Sequence, residues 1–207
     1  MAFLRSALPE DYLDAIRGKT LTLRPPTVPD YSAWAELRAL SRSHLTPWEP
    51  AWSRDDLSRQ MYRRRLRAYA KDVRDDFGYS YFISDTRTDT LLGGITLSNV
   101  RRGSAQTAAL GYWIGQPYAG QGRMTEAVQT LLPFAFRTLR LHRLEAACMP
   151  HNAASIRVLE RSGFEREGLA RSYLKINGRW EDHLLFAALS PETVAPSSAL
   201  GSKVVRR

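Results

Sequence analysis

Two glycines separated by one residue, Gly120 and Gly122, stand where an apolar, aromatic segment changes into a helical pattern. Residues 107–114 before them are typical of a strand, and the residues after them place apolar side chains at helical spacing. Glycine lets backbone N–H groups approach a ligand closely, and the positive end of the helix dipole lies directly behind this pair. The combination favours a bound anion, most often a phosphate or pyrophosphate.

Two better-known classes of phosphate loop do not match this segment. A Walker loop ends in Gly-Lys-Ser or Gly-Lys-Thr, whereas Gly122 is followed by Arg123 and Met124. A dinucleotide-binding fingerprint has a third glycine three residues after the second, where this chain has Thr125. An ordinary glycine-rich turn between a strand and a helix stays open as the structural alternative.

A second pair of polar residues, Asn152 and Ser155, opens a short helical pattern that ends at Gly163. Asn152 is a good N-cap residue, and Ser155 lies one turn further along on the same side of the helix. Gly163 is a typical residue just past a helix C-terminus. An ordinary capped helix would account for all three residues, so their spacing alone does not establish a site.

The elements that must position these residues follow from periodicity and turn residues. We predict strands at 20–24, 79–85, 91–100, 107–114, 144–149, 164–176 and 180–189, and helices at about 27–40, 53–73, 121–139 and 152–162. Residues 44–52 contain two prolines and two tryptophans and are predicted to form a loop. Pro133 is expected to bend the helix that contains it. Asn177-Gly178 predicts a tight hairpin turn between the last two strands.

The 207 residues and 43% hydrophobic content predict one domain with a proper core. We place this domain at residues 19–190, after an N-terminal extension (1–18) and before a flexible C-terminal tail (191–207). No apolar run is long enough to span a membrane, and the first residues lack the apolar core of a signal peptide. The single cysteine, Cys148, excludes an intrachain disulfide and favours the cytoplasm. The histidines lack ligand spacing, so no metal is expected.

The two polar motifs together resemble those of the GNAT N-acetyltransferases. Residues 119–124 are similar to the acetyl-CoA pyrophosphate loop of that family, with Gly122 at its central glycine. Ala119 and Met124 depart from the family pattern at its two ends. The second family hallmark is Asn-x-x-Ser followed by a Gly-Phe stop, which residues 152–164 contain. The resemblance implies the family's α/β (α+β) fold, a mixed and mostly antiparallel sheet flanked by helices.

Further segments resemble one subgroup of this family, the RimJ-like ribosomal-protein-alanine N-acetyltransferases. These segments are residues 46–50, 98–103, 149–152, 172–174 and 177–183, and the similarity runs from about Lys19 to Leu189. Met124 is tolerated in that subgroup. The resemblance implies acetyl-CoA as co-substrate and the N-terminus of a ribosomal protein as acceptor. The net charge of +9 also suits ribosomal RNA as a further partner.

The resemblance also implies roles for individual residues. The backbone of Trp113 and Ile114 would bind the pantetheine arm and donate an N–H to the thioester carbonyl, and Asn152 would contact the same arm. Ser155 would protonate the leaving thiolate, with Tyr173 as the reserve candidate. The pyrophosphate would be held by Gln121, Gly122, Arg123, Met124 and Thr125. The acceptor would lie against Trp48, Tyr112 and Tyr173.

Acetyl transfer to an amine requires a neutral amine. A free α-amino group has a pKa of about 8, against about 10.4 for lysine, so a weak base is sufficient to deprotonate an N-terminus. Residues 107–114 contain no carboxylate, where many lysine acetyltransferases of this family have a glutamate. Glu49 is the leading candidate for the base, because Trp48 and Trp52 flank it in its loop. A surface carboxylate is its structural alternative, and Glu181, Asp182 or water would then be the base.

We therefore predict direct transfer of acetyl from acetyl-CoA to a protein N-terminal α-amine, alanine of a ribosomal protein, in a ternary complex. One alternative is a transferase for small amines such as polyamines or aminoglycosides. The other is a ribosome-assembly factor that binds through its basic surface and whose transferase activity is incidental.

Overall fold

The computed structural model describes residues 14–191. Residues 1–13 of the predicted N-terminal extension and residues 192–207 of the predicted tail lie outside it. The strands are β1 (Ile16–Arg17), β2 (Leu21–Arg24), β3 (Tyr79–Asp85), β4 (Leu91–Arg101), β5 (Thr107–Ile114), β6 (Arg143–Cys148), β7 (Glu165–Ile176) and β8 (Arg179–Leu189). The helices are α1 (Tyr31–Leu40), α2 (Arg42–Leu45), α3 (Arg59–Arg74), α4 (Arg123–Pro133) and α5 (Ala153–Arg161).

All eight of these strands form one sheet in the order β1-β2-β3-β4-β5-β6-β8-β7. Neighbouring strands in residues 14–191 are antiparallel except β5 and β6, which run parallel. The prediction of a mixed, mostly antiparallel sheet flanked by helices is confirmed.

The parallel contact between β5 and β6 is short. It covers three residue pairs and ends at Ala109 opposite Glu145. Beyond that point β5 stays paired with β4 as far as Ile114, and β6 stays paired with β8 as far as Cys148. Because each strand follows its other neighbour, β5 and β6 diverge and open a cleft within the sheet.

Helices pack on both faces of the sheet, and the alternation of β3 shows how one strand serves both. Tyr81 and Ile83 belong to the larger core cluster, which also contains the buried face of α4. Phe82, between them, belongs to a smaller cluster with Trp34 of α1 and Tyr62 of α3. The period-2 pattern of a strand places consecutive side chains on opposite faces, so both clusters follow directly from the sequence of β3.

Several elements differ from the prediction. The helix predicted from residue 53 begins at Arg59, because Ser58 accepts a hydrogen bond from the Met61 N–H (3.2 Å), whereas the Ser53 hydroxyl donates to Asp55. The predicted loop at 44–52 contains the end of α2 and a short 3-10 turn, 46–48. The short strand β1 lies within the predicted extension and pairs with β2.

The sequence predicts a bend at Pro133, and the structure shows a change of helix type there. Helix α4 ends at Pro133 and continues as one π-helical turn over residues 134–138, because proline lacks the N–H that an α-helical bond requires. No helix of residues 14–191 is long and apolar enough to cross a membrane.

Candidate active site

A cavity of about 430 Å³ lies in the cleft between β5 and β6. Its wall is formed by the diverging ends of these strands, the first turn of α4, one side of α5 along its length, and residues from the 44–49 segment. The predicted site residues that line it are Trp48, Glu49, Tyr112, Trp113, Ile114, Gly122, Arg123, Met124, Thr125, Asn152 and Ser155. Gln121 and Tyr173 were also predicted as site residues, but they do not line this cavity.

The glycine loop closes one end of the cavity. Gly120 and Gly122 have φ angles of +74° and +76°, which lie in the left-handed region that favours glycine. A Cβ added at either position would meet no atom within 4 Å, so both face open space. Gly122 is also the N-cap of α4, whose first N–H groups have no partner within the helix. The loop therefore leaves the room and the backbone donors that an anionic group requires.

The side chains of Gln121 and Arg123 form hydrogen bonds with neighbouring parts of the protein and stabilise the loop. Gln121 Nε2 donates to the carbonyl oxygen of Pro117 (2.8 Å), so this amide stabilises the turn and does not face the cavity. The Arg123 guanidinium donates to the Thr20 hydroxyl and lies 3.4 Å from Asp85 Oδ2, which ties the start of α4 to β2 and β3. If these two residues hold phosphate, their backbone N–H groups are the better placed donors.

The charge of the cavity wall is mainly positive. Arg157 and Arg161 of α5 line the cavity together with Arg123, whereas Glu49 is the one carboxylate among its described lining residues. The lining therefore fits a ligand with several negative charges.

Three weakly acidic groups, one each from β5, β6 and α5, meet in the cavity. The hydroxyl groups of Tyr112 and Ser155 are hydrogen bonded at 2.8 Å, and the Ser155 N–H donates to the Asn152 side chain (3.0 Å), which caps α5. Burial raises the pKa of Tyr112 well above its ordinary value, against a smaller lowering by the Ser155 bond. Burial also raises the pKa of the Cys148 thiol, again partly offset by Ser155. Ser155 thus sits between two groups that keep their protons.

Glu49 and Arg38 form a hydrogen-bonded ion pair, the Arg38–Glu49 latch. The two oxygens of Glu49 accept both Nη groups of Arg38 (2.8 and 2.7 Å), and Oε2 also accepts Trp52 Nε1 (2.8 Å). The buried Arg38 guanidinium lies over the ring of Trp52 (4.2 Å to the centroid) and near that of Trp113 (5.0 Å). This geometry favours a structural role for Glu49, and its role as base stays a prediction. The importance of Arg38 was missed, because no motif marks a lone arginine in a helix.

The latch segment meets the tip of the β7–β8 hairpin. The Asn177 N–H donates to the Glu49 carbonyl oxygen (3.1 Å), which joins the hairpin turn to the segment that carries the latch. The ring of Trp48 packs on His151 at a centroid distance of 5.3 Å. A second hollow is lined by Pro47, Met149, His151, Ile176, Asn177, Arg179 and Glu181. Met149 lines both spaces and therefore marks their common wall.

The reserve candidates from the sequence lie near the cavity but not on its wall. Tyr173 is 47% exposed and contacts His183 edge-on, at a ring centroid distance of 5.8 Å. The Asp182 carboxylate accepts the Ser172 N–H (2.8 Å). His183 itself is buried and lines the cavity, although no motif in the sequence marks it as a site residue. In the part of the chain that the structure describes, no group of three His, Cys, Asp or Glu side chains is arranged to hold a metal.

Comparisons with known proteins agree with this geometry. The family model described as the acetyltransferase (GNAT) domain matches residues 20–165. The probable N-acetyltransferase YjcK of Bacillus subtilis is 38% identical over 86% of this chain and 98% of its own length. The [ribosomal protein uS5]-alanine N-acetyltransferase of Escherichia coli is 36% identical over 80% of this chain and 86% of its own.

Among solved structures, that of Mycobacterium smegmatis RimJ in complex with CoA-disulfide superposes with a TM-score of 0.82 at 30% identity, covering 88% of this chain and 90% of that chain. The cleft in the sheet, the glycine loop at its end and these likenesses lead to one conclusion. This chain belongs to the GNAT family and is an N-acetyltransferase.

Proposed function

We propose that this enzyme acetylates the α-amine of a protein N-terminus, alanine of a ribosomal protein, in the cytoplasm. The observation that carries the proposal is the cleft with a phosphate-type loop on its wall and a second hollow that shares Met149 with it. The likeness to the uS5-alanine N-acetyltransferase, at 36% identity, supports this class of acceptor.

The residues of the cleft fit acetyl-CoA as co-substrate, which supplies the activated acetyl group. The open space at Gly120 and Gly122 and the start of α4 suit its pyrophosphate. The arginines of the wall add positive charge. The backbone of Trp113 and Ile114, on the free end of β5, would bind the pantetheine arm and polarise the carbonyl, a contribution of about 3–4 kcal/mol for such a donor.

The Tyr112–Ser155 pair suits protonation of the leaving thiolate. When the Tyr112 O–H donates to Ser155 Oγ, the serine proton is free to point at the sulfur. The raised pKa of Tyr112 keeps the phenol protonated, so it stays a donor during the reaction. The Asn152 cap holds the Ser155 backbone and thereby the position of its hydroxyl.

The bridge between Glu49 and Asn177 suits selection of a chain end. A hollow that is lined by the hairpin turn and shares Met149 with the reaction cavity offers a flexible N-terminus a path to the acetyl group. Trp48, fixed by its contact with His151, offers a flat apolar wall for a small first side chain such as alanine. An α-amine also loses its proton about 2 pKa units more easily than lysine does.

The proposal is tested by intact-mass spectrometry of ribosomal proteins from cells that lack this gene. We expect one ribosomal protein that begins with alanine to be lighter by one acetyl group, and re-expression of the enzyme to restore its mass. An unchanged set of masses contradicts the proposal. The small-amine alternative is tested with the purified enzyme, by comparing kcat/KM for an Ala-initiated peptide with that for spermidine and an aminoglycoside.

Helix α3 supports an additional contact with ribosomal RNA. Arg63, Arg64 and Arg67 are exposed on this helix, and Arg63 and Arg67 are one turn apart. Like charges at this spacing destabilise a helix by about 0.2–0.5 kcal/mol per pair, and an anionic surface would relieve that repulsion. We expect the triple variant Arg63→Ala/Arg64→Ala/Arg67→Ala to lose salt-sensitive ribosome binding and to keep its activity on a free peptide. Unchanged ribosome binding would rule out this surface.

A further inference from the structure

His183 combines burial with a place on the wall of the reaction cavity. It lies on β8 opposite Ala170 of β7, one residue before Leu184, which pairs with the last residue of β6. Its side chain is 3% exposed and lines the cavity in the cleft. None of the roles proposed so far uses this residue.

The hydrogen bond of His183 fixes its tautomer. Nδ1 lies 3.0 Å from the carbonyl oxygen of Glu181, which can only accept. Nδ1 of the neutral ring therefore carries the proton, and Nε2 is left with a free lone pair. The ring of Tyr173 packs against the imidazole and holds its orientation. A buried imidazole that is held in this form is a preorganised proton acceptor.

We propose that His183 Nε2 is the general base that takes the proton from the attacking amine, an inference that rests on the proposed acetyltransferase function at this site. The amine nitrogen forms a bond to the acetyl carbon, and the carbon–sulfur bond breaks. One amine proton passes to Nε2, and the thiolate receives the Ser155 proton. Water then takes the proton from His183 and returns one to Ser155, so the products are the acetylated amine and free coenzyme A.

The other candidates for the base are less well placed. Both oxygens of Glu49 already accept hydrogen bonds from Arg38, and Trp52 adds a third donor. Asp182 is exposed and accepts a backbone N–H, and Glu181 lines only the second hollow. Tyr173 of β7 contacts the ring of His183. The titratable groups that share the cavity wall with it are His44, Glu49, Tyr112, Tyr118, Arg123, Cys148, Arg157 and Arg161. Among them Glu49 alone is a carboxylate, and it is neutralised by Arg38.

The test uses the purified enzyme, acetyl-CoA and an Ala-initiated peptide. His183→Gln keeps a polar side chain at this position but cannot accept a proton, and His142→Gln, before β6 and outside the cavity, is the matched control. We expect His183→Gln to lower kcat by about 10²–10⁴-fold and to remove the acid limb of the kcat/KM–pH profile. Acetyl-CoA affinity and Tm should stay near those of wild type, and added imidazole should partly restore His183→Ala.

The possible outcomes separate this inference from the proposed function. If the wild-type enzyme acetylates the peptide and His183→Gln matches it in kcat and pH profile, His183 is not the base, whereas the function stands. A loss of kcat in His183→Gln with an unchanged acid limb and no rescue of His183→Ala by imidazole would show a structural role and overturn the proposal. If the wild-type enzyme does not acetylate the peptide, the proposed function fails, and the role of His183 in it fails too.

Discussion

Gly122 and Gly103 share a backbone property and differ in their surroundings. Both have positive φ, +76° and +67°, and a Cβ at either would meet no atom of the protein. Only Gly122 lines the cavity. We expect Gly122→Ala and Gly103→Ala to lose similar stability, about 1–2 kcal/mol from the strained backbone. Gly122→Ala alone should weaken acetyl-CoA binding, by at least about tenfold, because its methyl group enters the space of the ligand.

Isothermal titration calorimetry of the two folded variants with acetyl-CoA measures this difference. Equal affinity in Gly122→Ala and Gly103→Ala would mean that the loop does not contact the co-substrate.

Ser155 and Ser162 form a second matched pair, at the two ends of α5. Ser155 lines the cavity beside Tyr112, whereas Ser162 lies outside it and its buried hydroxyl has no partner among the described residues. If Ser155 protonates the thiolate, Ser155→Ala should lower kcat by about 10²–10⁴-fold and leave acetyl-CoA affinity nearly unchanged. Steady-state kinetics of both variants is the measurement. A loss in Ser155→Ala no larger than that in Ser162→Ala would leave water as the acid.

The residues that the sequence identified are those whose role is local. A turn or a helix cap marks Gly122, Asn152 and Ser155 in the sequence, and all three line one cavity in the structure. Arg38 and His183 could not be found in this way. Their significance comes from partners on other elements or from a distant strand edge, and no spacing in the sequence records such contacts.

Asp30 connects β2 with the start of α1. Its carboxylate accepts a bidentate bond from Arg24 (2.8 and 2.7 Å) and bonds from the Thr27 N–H and hydroxyl (2.7 Å each). Burial alone would raise the pKa of Asp30, but the bonds from Arg24 and Thr27 outweigh it and hold the pKa below its usual range. The stabilisation is therefore complete above the unfolded pKa, about 3.9, and is lost as the pH falls through the folded value.

We accordingly expect Asp30→Asn to lower the free energy of unfolding at pH 7, by about 2 kcal/mol, and the difference from wild type to shrink below about pH 4. Urea unfolding at pH 7 and pH 3 measures it. Asp75→Asn, which removes an exposed pair with Lys71, is the control and should leave the midpoint unchanged. A constant difference at both pH values would contradict the assignment.

The boundaries of elements were predictable where one residue type sets them. Strands 79–85 and 107–114 have the predicted bounds, because alternation and polar turns mark both ends. Helix α3 was predicted from the wrong serine, because Ser53 and Ser58 are equally good caps in sequence and only the neighbouring contacts decide between them. Strand β1 was missed, because two residues carry no periodicity.

The Arg38–Glu49 latch joins α1 to the segment that meets the β7–β8 hairpin. A base at Glu49 predicts that Glu49→Gln flattens the pH profile and leaves stability unchanged. The latch predicts the opposite: Glu49→Gln and Arg38→Ala should each cost about 3 kcal/mol, because one partner of a largely buried pair is left alone. They should also raise the KM for the peptide, while the pH profile keeps its shape.

Thermal unfolding, peptide kinetics and a double-mutant cycle between these residues provide the measurements. If the two residues act only as a pair, the double variant is no less stable than either single variant. Additive losses would show that Arg38 and Glu49 act separately.

The early end of the β5–β6 contact has a thermodynamic consequence. Past Ala109 no backbone pairing in the described chain joins β1–β5 to β6–β8. A ligand that contacts the edges of both β5 and β6 therefore replaces the hydrogen bonds that the two strands do not make with each other. Acetyl-CoA at one hundred times its Kd would add about 2.7 kcal/mol by mass action, or about 5–10 °C in Tm for a chain of this size. Amide exchange should slow most at residues 110–114 and 146–148. Bound co-substrate would then couple the two halves of the sheet, so that they unfold together.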